Sequence, residues 1–420
     1  MAETNDVSHP PDRRENLWIL TSCGLIGLLA LPGLALFHAG PWRVNRPSGL
    51  VGRYFIIAAV VTMLWWLFGY SAVFADGGGQ IFGDCSKFAF LRSVGRGVNH
   101  EYPFRGSQAL FCLFHLLVAL ASVAILTASL ANRLKLPVLI VCVTAWMIFV
   151  YFPLARMLWG IDGSMNGLWN ANASIRVIDF AGALVVQIAA GWSGVIYFLI
   201  LAERDSIERP AISRSRLFAF IAGQGMIWMG WYGLSGGVWA DLSAVPQSFL
   251  AMMFATLVAA FAWTVTEATI RRKPSLPGAC NGALAGLMAI MPASAFVTVN
   301  GAIIIGLSAG TLPLLSRLIR RSPYERPFEI FGVHTLCGML GLLLAGIVAS
   351  GENGHIPLTN ETRMNGLASL VATGGVWIEQ IKALLITLAI AGSASGFVGL
   401  FIKAAEFGFS PQRLKWSNLQ

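Results

Sequence analysis

Charge is scarce in this sequence. Asp, Glu, Lys and Arg make up 12% of its 420 residues, about half of the roughly 25% usual in a soluble domain, and that shortage excludes an ordinary water-soluble fold. The six cysteines, Cys23, Cys85, Cys112, Cys142, Cys280 and Cys337, are scattered without metal-ligand spacing. Only Cys85 falls in a stretch expected to form an exposed loop, so neither a disulfide framework nor a zinc site is supported. There is no phosphate-binding glycine loop and no HExxH, and the GxSxG spacing occurs only inside apolar runs, at Gly233–Gly237 and Gly306–Gly310. The enzyme chemistries those motifs carry are therefore unsupported, and no metal or other cofactor is expected. "DGGGQ" reads as a turn. The N-terminus, "MAETNDVSHPPDRREN", is polar and lacks a basic region leading into a short apolar core, so no cleaved signal peptide is expected.

Apolar residues are what the chain has in excess, at 56%. They fall in runs spanning roughly 17–37, 54–75, 107–131, 136–158, 178–202, 217–239, 247–268, 280–297, 300–318, 329–350 and 376–404. Most are near the ~20 residues that a spanning helix needs and too long for barrel strands. The expected fold is an all-α, multi-pass membrane protein of about eleven transmembrane helices. Its expected organisation is a polar tail over 1–16, a transmembrane channel domain over 17–404 and a short cytoplasmic tail over 405–420. The domain divides into halves 17–202 and 217–350, followed by a last helix, 376–404.

Basic residues set the orientation. They cluster in alternate loops, at Arg43, Arg46 and Arg53, at Arg133 and Lys135, from Arg204 to Arg216, from Arg271 to Lys273 and from Arg317 to Arg326, and again near the C-terminus. The positive-inside rule makes that side cytoplasmic, with the N-terminus outside and the C-terminus inside. The net charge of +9 then belongs to loops beside anionic lipid, and nucleic acid is not an expected partner. One loop departs from the pattern: Lys87, Arg92, Arg96 and Arg105 fall on the outer side, where they predict a positive patch.

The fifth run opens "DFAG" with Asp179 and the tenth opens "EIFG" with Glu329. An acidic residue thus begins a glycine-containing span in each half. If the halves are repeats, an odd number of helices makes them inverted, and inverted repeats place a substrate site at their interface near the midplane. An ionisable ring inside a span, such as His334, is costly and normally faces a polar cavity or a partner.

The stretches "ACNGALAGLMAIMPASAF" and "GAIIIGLSAG" between Ala279 and Gly310, "DFAGALVVQ" from Asp179 and "FGVHTLCG" from Phe331 resemble the ammonium transporter family, the Amt, Mep and Rhesus proteins. "LPGLALFHAG", "GYSAVF", "SLANRLKLP" and "YFPLARMLWG" add matches in family order, from Leu17 to Glu406. The resemblance implies a homotrimer with one pore per subunit, passing ammonium or ammonia across the inner membrane. It also implies eleven helices in an inverted five-helix repeat and raises a cytoplasmic regulatory protein as a possible partner. "GSASG" and "GALAG" could supply small-residue contacts between subunits.

Family members use an outer cation site, two stacked phenylalanines and a hydrogen-bonded histidine pair. The resemblance assigns Trp159 to the outer site, Asp179 to a structural acid and His334 to the second pore histidine. It also exposes departures. Gln187 stands where the first pore histidine is expected, Val238 replaces the outer-site serine, and Val118 and Leu234 replace the gate phenylalanines. His115 and His38 stand where glutamine and tyrosine are usual. His334 and Gln187 are expected to bond to each other. Since an amide cannot titrate, a proton relay through both positions is broken unless water or His115 substitutes, and little steady ammonium-evoked current is expected. The wider, apolar throat suits a neutral solute. The alternatives are a transport-silent sensor or regulatory paralogue and a channel for another small neutral molecule.

Overall fold

A computed structural model describes residues 11–39, 47–99, 101–102, 104–131, 133–202, 213–237, 242, 245–318, 325–349, 363–364 and 366–408. These residues form helices joined by loops, with no β-strand among them and only two isolated bridges, Val98–Ser107 and Asn166–Val177. In chain order the helices are α1 (Arg13–Ala39), α2 (Gly49–Phe74), α3 (Gln108–Leu130), α4 (Leu136–Trp159) and α5 (Ala183–Leu201). Then come α6 (Arg214–Gly237), α7 (Val245–Arg271), α8 (Leu276–Ile290), α9 (Val299–Leu318), α10 (Phe328–Val348), α11 (Leu367–Ala372) and α12 (Val376–Gly408). A short 3₁₀ turn, Ala89–Leu91, lies in the loop after α2. Among the described residues, eight helices are long and apolar enough to cross a membrane, and α8 and α9 add shorter apolar stretches. Helix α6 is long enough, but its repeated glycines and Gln224 dilute its hydropathy.

Local chemistry explains where several helices begin and bend. Asp12 caps α1 by accepting the N–H groups of Arg14 and Glu15 at 2.7 and 3.2 Å. Ser275 caps α8 through the Gly278 N–H at 3.1 Å. Each uses a short side-chain oxygen to satisfy a donor that has no partner within the helix. Pro32 sits inside a π-helical turn at Leu29–Gly33, because a proline ring without an N–H breaks the regular ladder. Further π-turns interrupt α2, α4 and α10, and another opens α5.

Helices α1 and α6 pack together, α7 packs on both α8 and α9, and α12 lies along α5 and α10. Small residues permit the closest approaches. A Cβ added to Gly341 would lie 1.8 Å from the carbonyl oxygen of Ala289, so this crossing of α10 and α8 admits glycine alone. The glycines of "GALAG" are also used within the chain: added Cβ atoms at Gly282 and Gly286 would meet Trp263 and Ala255 of α7. That stretch is therefore occupied by internal packing, contrary to its expected role between subunits. In "GSASG", Gly392 faces Trp192 of α5, whereas Gly396 borders open space.

Outward-facing Phe218, Phe261, Ile347 and Phe397 are at least two-thirds exposed, an arrangement that suits hydrocarbon and is unfavourable in water. Some polar groups inside pair with one another. Ser235 of α6, Ser248 of α7 and Ser294 of the turn after α8 form a buried hydroxyl triangle with sides of 2.7, 2.9 and 3.0 Å. Arg53 donates to the carbonyls of Ala131 and Leu134 at the end of α3.

The loop after α2 is held by Arg156 of α4, which is fully buried. Its guanidinium donates to the carbonyl oxygens of Ala75 at 2.6 Å, Gly79 at 3.1 Å, Val73 at 3.2 Å and Gly77 at 3.4 Å. It also pairs with Asp162 at 3.3 Å. The fork of donors that arginine presents suits this converging set of oxygens. Lys87, expected to contribute to a positive patch, instead bridges Asp76 and Glu101. Burial pulls the Lys87 pKa down, but bonds to those two carboxylates outweigh it and hold the ammonium above its ordinary value.

Candidate functional site

The loop entering α5 organises the site. The N–H groups of Ala183 and Leu184 donate to the two carboxylate oxygens of Asp179 at 2.6 and 2.8 Å, satisfying donors that a helix start leaves open. Between them, Gly182 adopts a left-handed conformation with φ of 76°, and an added Cβ there would lie 2.4 Å from the indole of Trp159. Both the backbone and the neighbouring ring thus require glycine in "DFAG". The loop is also gripped from α12: the Ile178 N–H donates to Gln380 Oε1 at 3.1 Å, and Gln380 Nε2 donates to the Ile178 carbonyl at 2.7 Å. Glu379 Oε2 accepts the Arg176 N–H at 2.8 Å while its other oxygen pairs with Lys382 at 2.7 Å.

Beside this loop lies a narrow recess with a cavity volume of about 40 Å³. The structure brings His115, Val118, Trp159 and Leu234 together in its wall, residues that come from α3, α4 and α6. His115 packs against Trp159 with ring centroids 5.5 Å apart and against Phe74 at 4.3 Å. No charged side chain lines the recess among the described residues. Phe111, Phe114 and Phe180 also line it, so aromatic rings remain in the wall although Val118 and Leu234 are aliphatic. Their scattered positions gave no motif that would have marked them. Val238 lies outside the described residues.

Gln187 and His334 occupy the π-turns at Ala183–Ile188 and Phe331–Leu336. Those turns contact each other, and both side chains are at most 1% exposed. They are not hydrogen-bonded: neither polar atom of Gln187 and neither ring nitrogen of His334 has a partner in the structure. The expected His334–Gln187 bond is therefore absent. Gln187 Oε1 instead approaches Gly338, one turn beyond His334, where an added Cβ would lie 3.3 Å from it. The ring near His334 is that of His38, with centroids 6.4 Å apart. His38 closes α1, and its Nδ1 lies 3.2 Å from the hydroxyl of Tyr54 on α2.

Apolar helices surrounding an uncharged recess, with buried ring and amide groups among them, define the class as a multi-pass membrane transporter. The chain belongs to the ammonium transporter family: the model of the Ammonium Transporter Family matches residues 17–407. Members of this family are transporters and not enzymes. The chain is 32% identical over 360 residues to an ammonium transporter of Mycobacterium tuberculosis, covering 81% of this chain and 75% of that protein. It is 31% identical over 394 residues to the ammonium transporter Amt1 of Archaeoglobus fulgidus, covering 93% and 94% of the two chains. The crystal structure of Candida albicans Mep2 superposes with a TM-score of 0.82 at 22% identity, covering 96% of this chain and 87% of that one, a likeness of fold.

Proposed function

We propose that this protein passes ammonium, or neutral ammonia after deprotonation at the mouth, through a pore in each subunit of an inner-membrane homotrimer. Solute enters at Trp159, where an aromatic face attracts a cation, with Val238 replacing the serine acceptor of the outer site. It then passes His115, Val118 and Leu234 and reaches Gln187 and His334 at the centre. The observation that carries this reading is the recess that joins four separately assigned residues, His115, Val118, Trp159 and Leu234. The buried, unpartnered nitrogens of His334 and the amide of Gln187 support a central polar site, because such groups are costly at membrane depth without a function or partner.

The same reading takes 17–404 as the channel domain, with an N-terminus outside, a C-terminus inside and eleven crossings. An acidic residue followed by a π-turn stands at the start of both the fifth and the tenth spans, Asp179 before Ala183–Ile188 and Glu329 before Phe331–Leu336, and this pairing supports an inverted repeat. Asp179 is its structural acid, acting through the start of α5.

Proteoliposomes given an inward ammonium gradient test the function. Vesicles containing the protein should change internal pH faster than protein-free vesicles, and Val118→Trp, which fills the throat, should remove most of the difference. Rates equal to those of protein-free vesicles would overturn the reading and favour a transport-silent protein.

A further inference from the structure

We propose that His38 is the second imidazole of the central site and that His38 and His334 form the proton-carrying pair that Gln187 cannot complete. The proposal rests on the transport reading above and names the residue through which a proton would pass.

Three helices converge on the pair. His38 is the penultimate residue of α1, Tyr54 projects from α2, and His334 lies in the π-turn of α10. His38 is 3% exposed and His334 1%. Their ring planes are inclined at 54° with centroids 6.4 Å apart, a gap that one bridging water or a modest ring rotation closes. The Tyr54 hydroxyl, 3.2 Å from Nδ1 of His38, restrains that ring. Phe37, stacked on Phe220 at 4.5 Å, fixes the preceding residue of the same turn.

Gln187 is the competing partner. Its side chain can donate and accept a hydrogen bond, but its protonation state does not change near neutral pH. Neither of its polar atoms bonds to His334. Imidazole accepts a proton on one nitrogen and releases one from the other within the physiological range. In the proposed step, ammonium gives a proton to a neutral His334 nitrogen and becomes ammonia; an N–H bond of the resulting imidazolium then breaks as one forms on neutral His38, directly or through a single water. His334 returns to the neutral form, His38 becomes the imidazolium, and no oxidation or reduction occurs. With this pair, a steady ammonium-evoked current is expected where Gln187 alone would leave little.

The test combines transport with spectroscopy on the full-length protein in lipid. Ammonium chloride is applied to proteoliposomes, and both the charge moved and the change in internal pH are recorded. For His38→Phe, the ratio of charge to internal pH change should fall about tenfold, a modest share of what positioned proton transfer usually contributes. His38→Gln, which keeps hydrogen bonding without titration, should show the same fall; a structural role alone would lower both readouts together. In ¹⁵N-histidine-labelled wild type, solid-state NMR should show through-space transfer between the His38 and His334 rings. An unchanged ratio in a folded His38 variant, or no transfer between the rings, overturns the proposal. Wild-type vesicles that move neither charge nor ammonia would instead defeat the transport reading, and ring-to-ring transfer would still decide the pairing.

Discussion

Gln380 and Ile178, separated by 202 positions, exchange two hydrogen bonds: the Ile178 N–H donates to Gln380 Oε1 at 3.1 Å, and Gln380 Nε2 donates back to the Ile178 carbonyl at 2.7 Å. The amide nitrogen also reaches the Leu342 carbonyl at 3.2 Å. One side chain of α12 therefore ties α10 to the residue immediately before Asp179, whose carboxylate caps α5. The last helix reaches the candidate site through this grip.

Gln380→Ala should consequently destabilise the protein by about 2 kcal/mol, since it leaves buried backbone groups without partners. Thermal unfolding in detergent should show a lower midpoint. Gln380→Ala should also slow ammonium-driven internal pH change if the Asp179 loop shifts the vestibule. An unaltered midpoint would show that the grip adds no stability.

Arg156 holds the loop after α2 in a comparable way. Arg156→Ala would remove a buried cation that binds four carbonyl oxygens and Asp162. A loss of about 3 kcal/mol or more is expected, in the range found when a buried charged network loses one member. Arg156→Lys should recover only part of it, because one ammonium cannot match the converging guanidinium bonds. Limited proteolysis between Gly77 and Lys87 would detect release of the loop, and resistance equal to wild type would contradict this role.

Much of the architecture was legible because long apolar runs in a chain so poor in charge leave few soluble alternatives. Asp179, Trp159 and His334 were legible through motifs that carry their local sequence with them. Other relations depend on separation in space. His38 and His334 lie almost 300 positions apart, and nothing in "LALFHAG" indicates which helix its histidine will face. Nothing in "YFPLARMLWG" indicates what Arg156 will bind; only the fold shows the carbonyls converging on it. The π-turns that carry Gln187 and His334 likewise leave no simple periodic signature. "GALAG" misled because a small-residue stripe suits internal and intersubunit packing equally well.

The recess wall offers a separate prediction about selectivity. Val118 and Leu234 stand together in the recess wall, so Val118→Phe with Leu234→Phe should narrow it. Uptake of methylammonium should fall about tenfold relative to ammonium, of the order that one methyl-sized group can command in an apolar passage. Equal loss of both solutes would point to general blockage, and unchanged uptake of both would place the constriction elsewhere.

The central claim is that conduction passes His334. Ammonium-evoked current should be measured on proteoliposomes containing equal amounts of folded wild type and His334→Ala. The wild type should carry a current above protein-free vesicles, and His334→Ala should abolish it. Equal currents from the two proteins would mean that His334 is a packed core residue and would contradict the account.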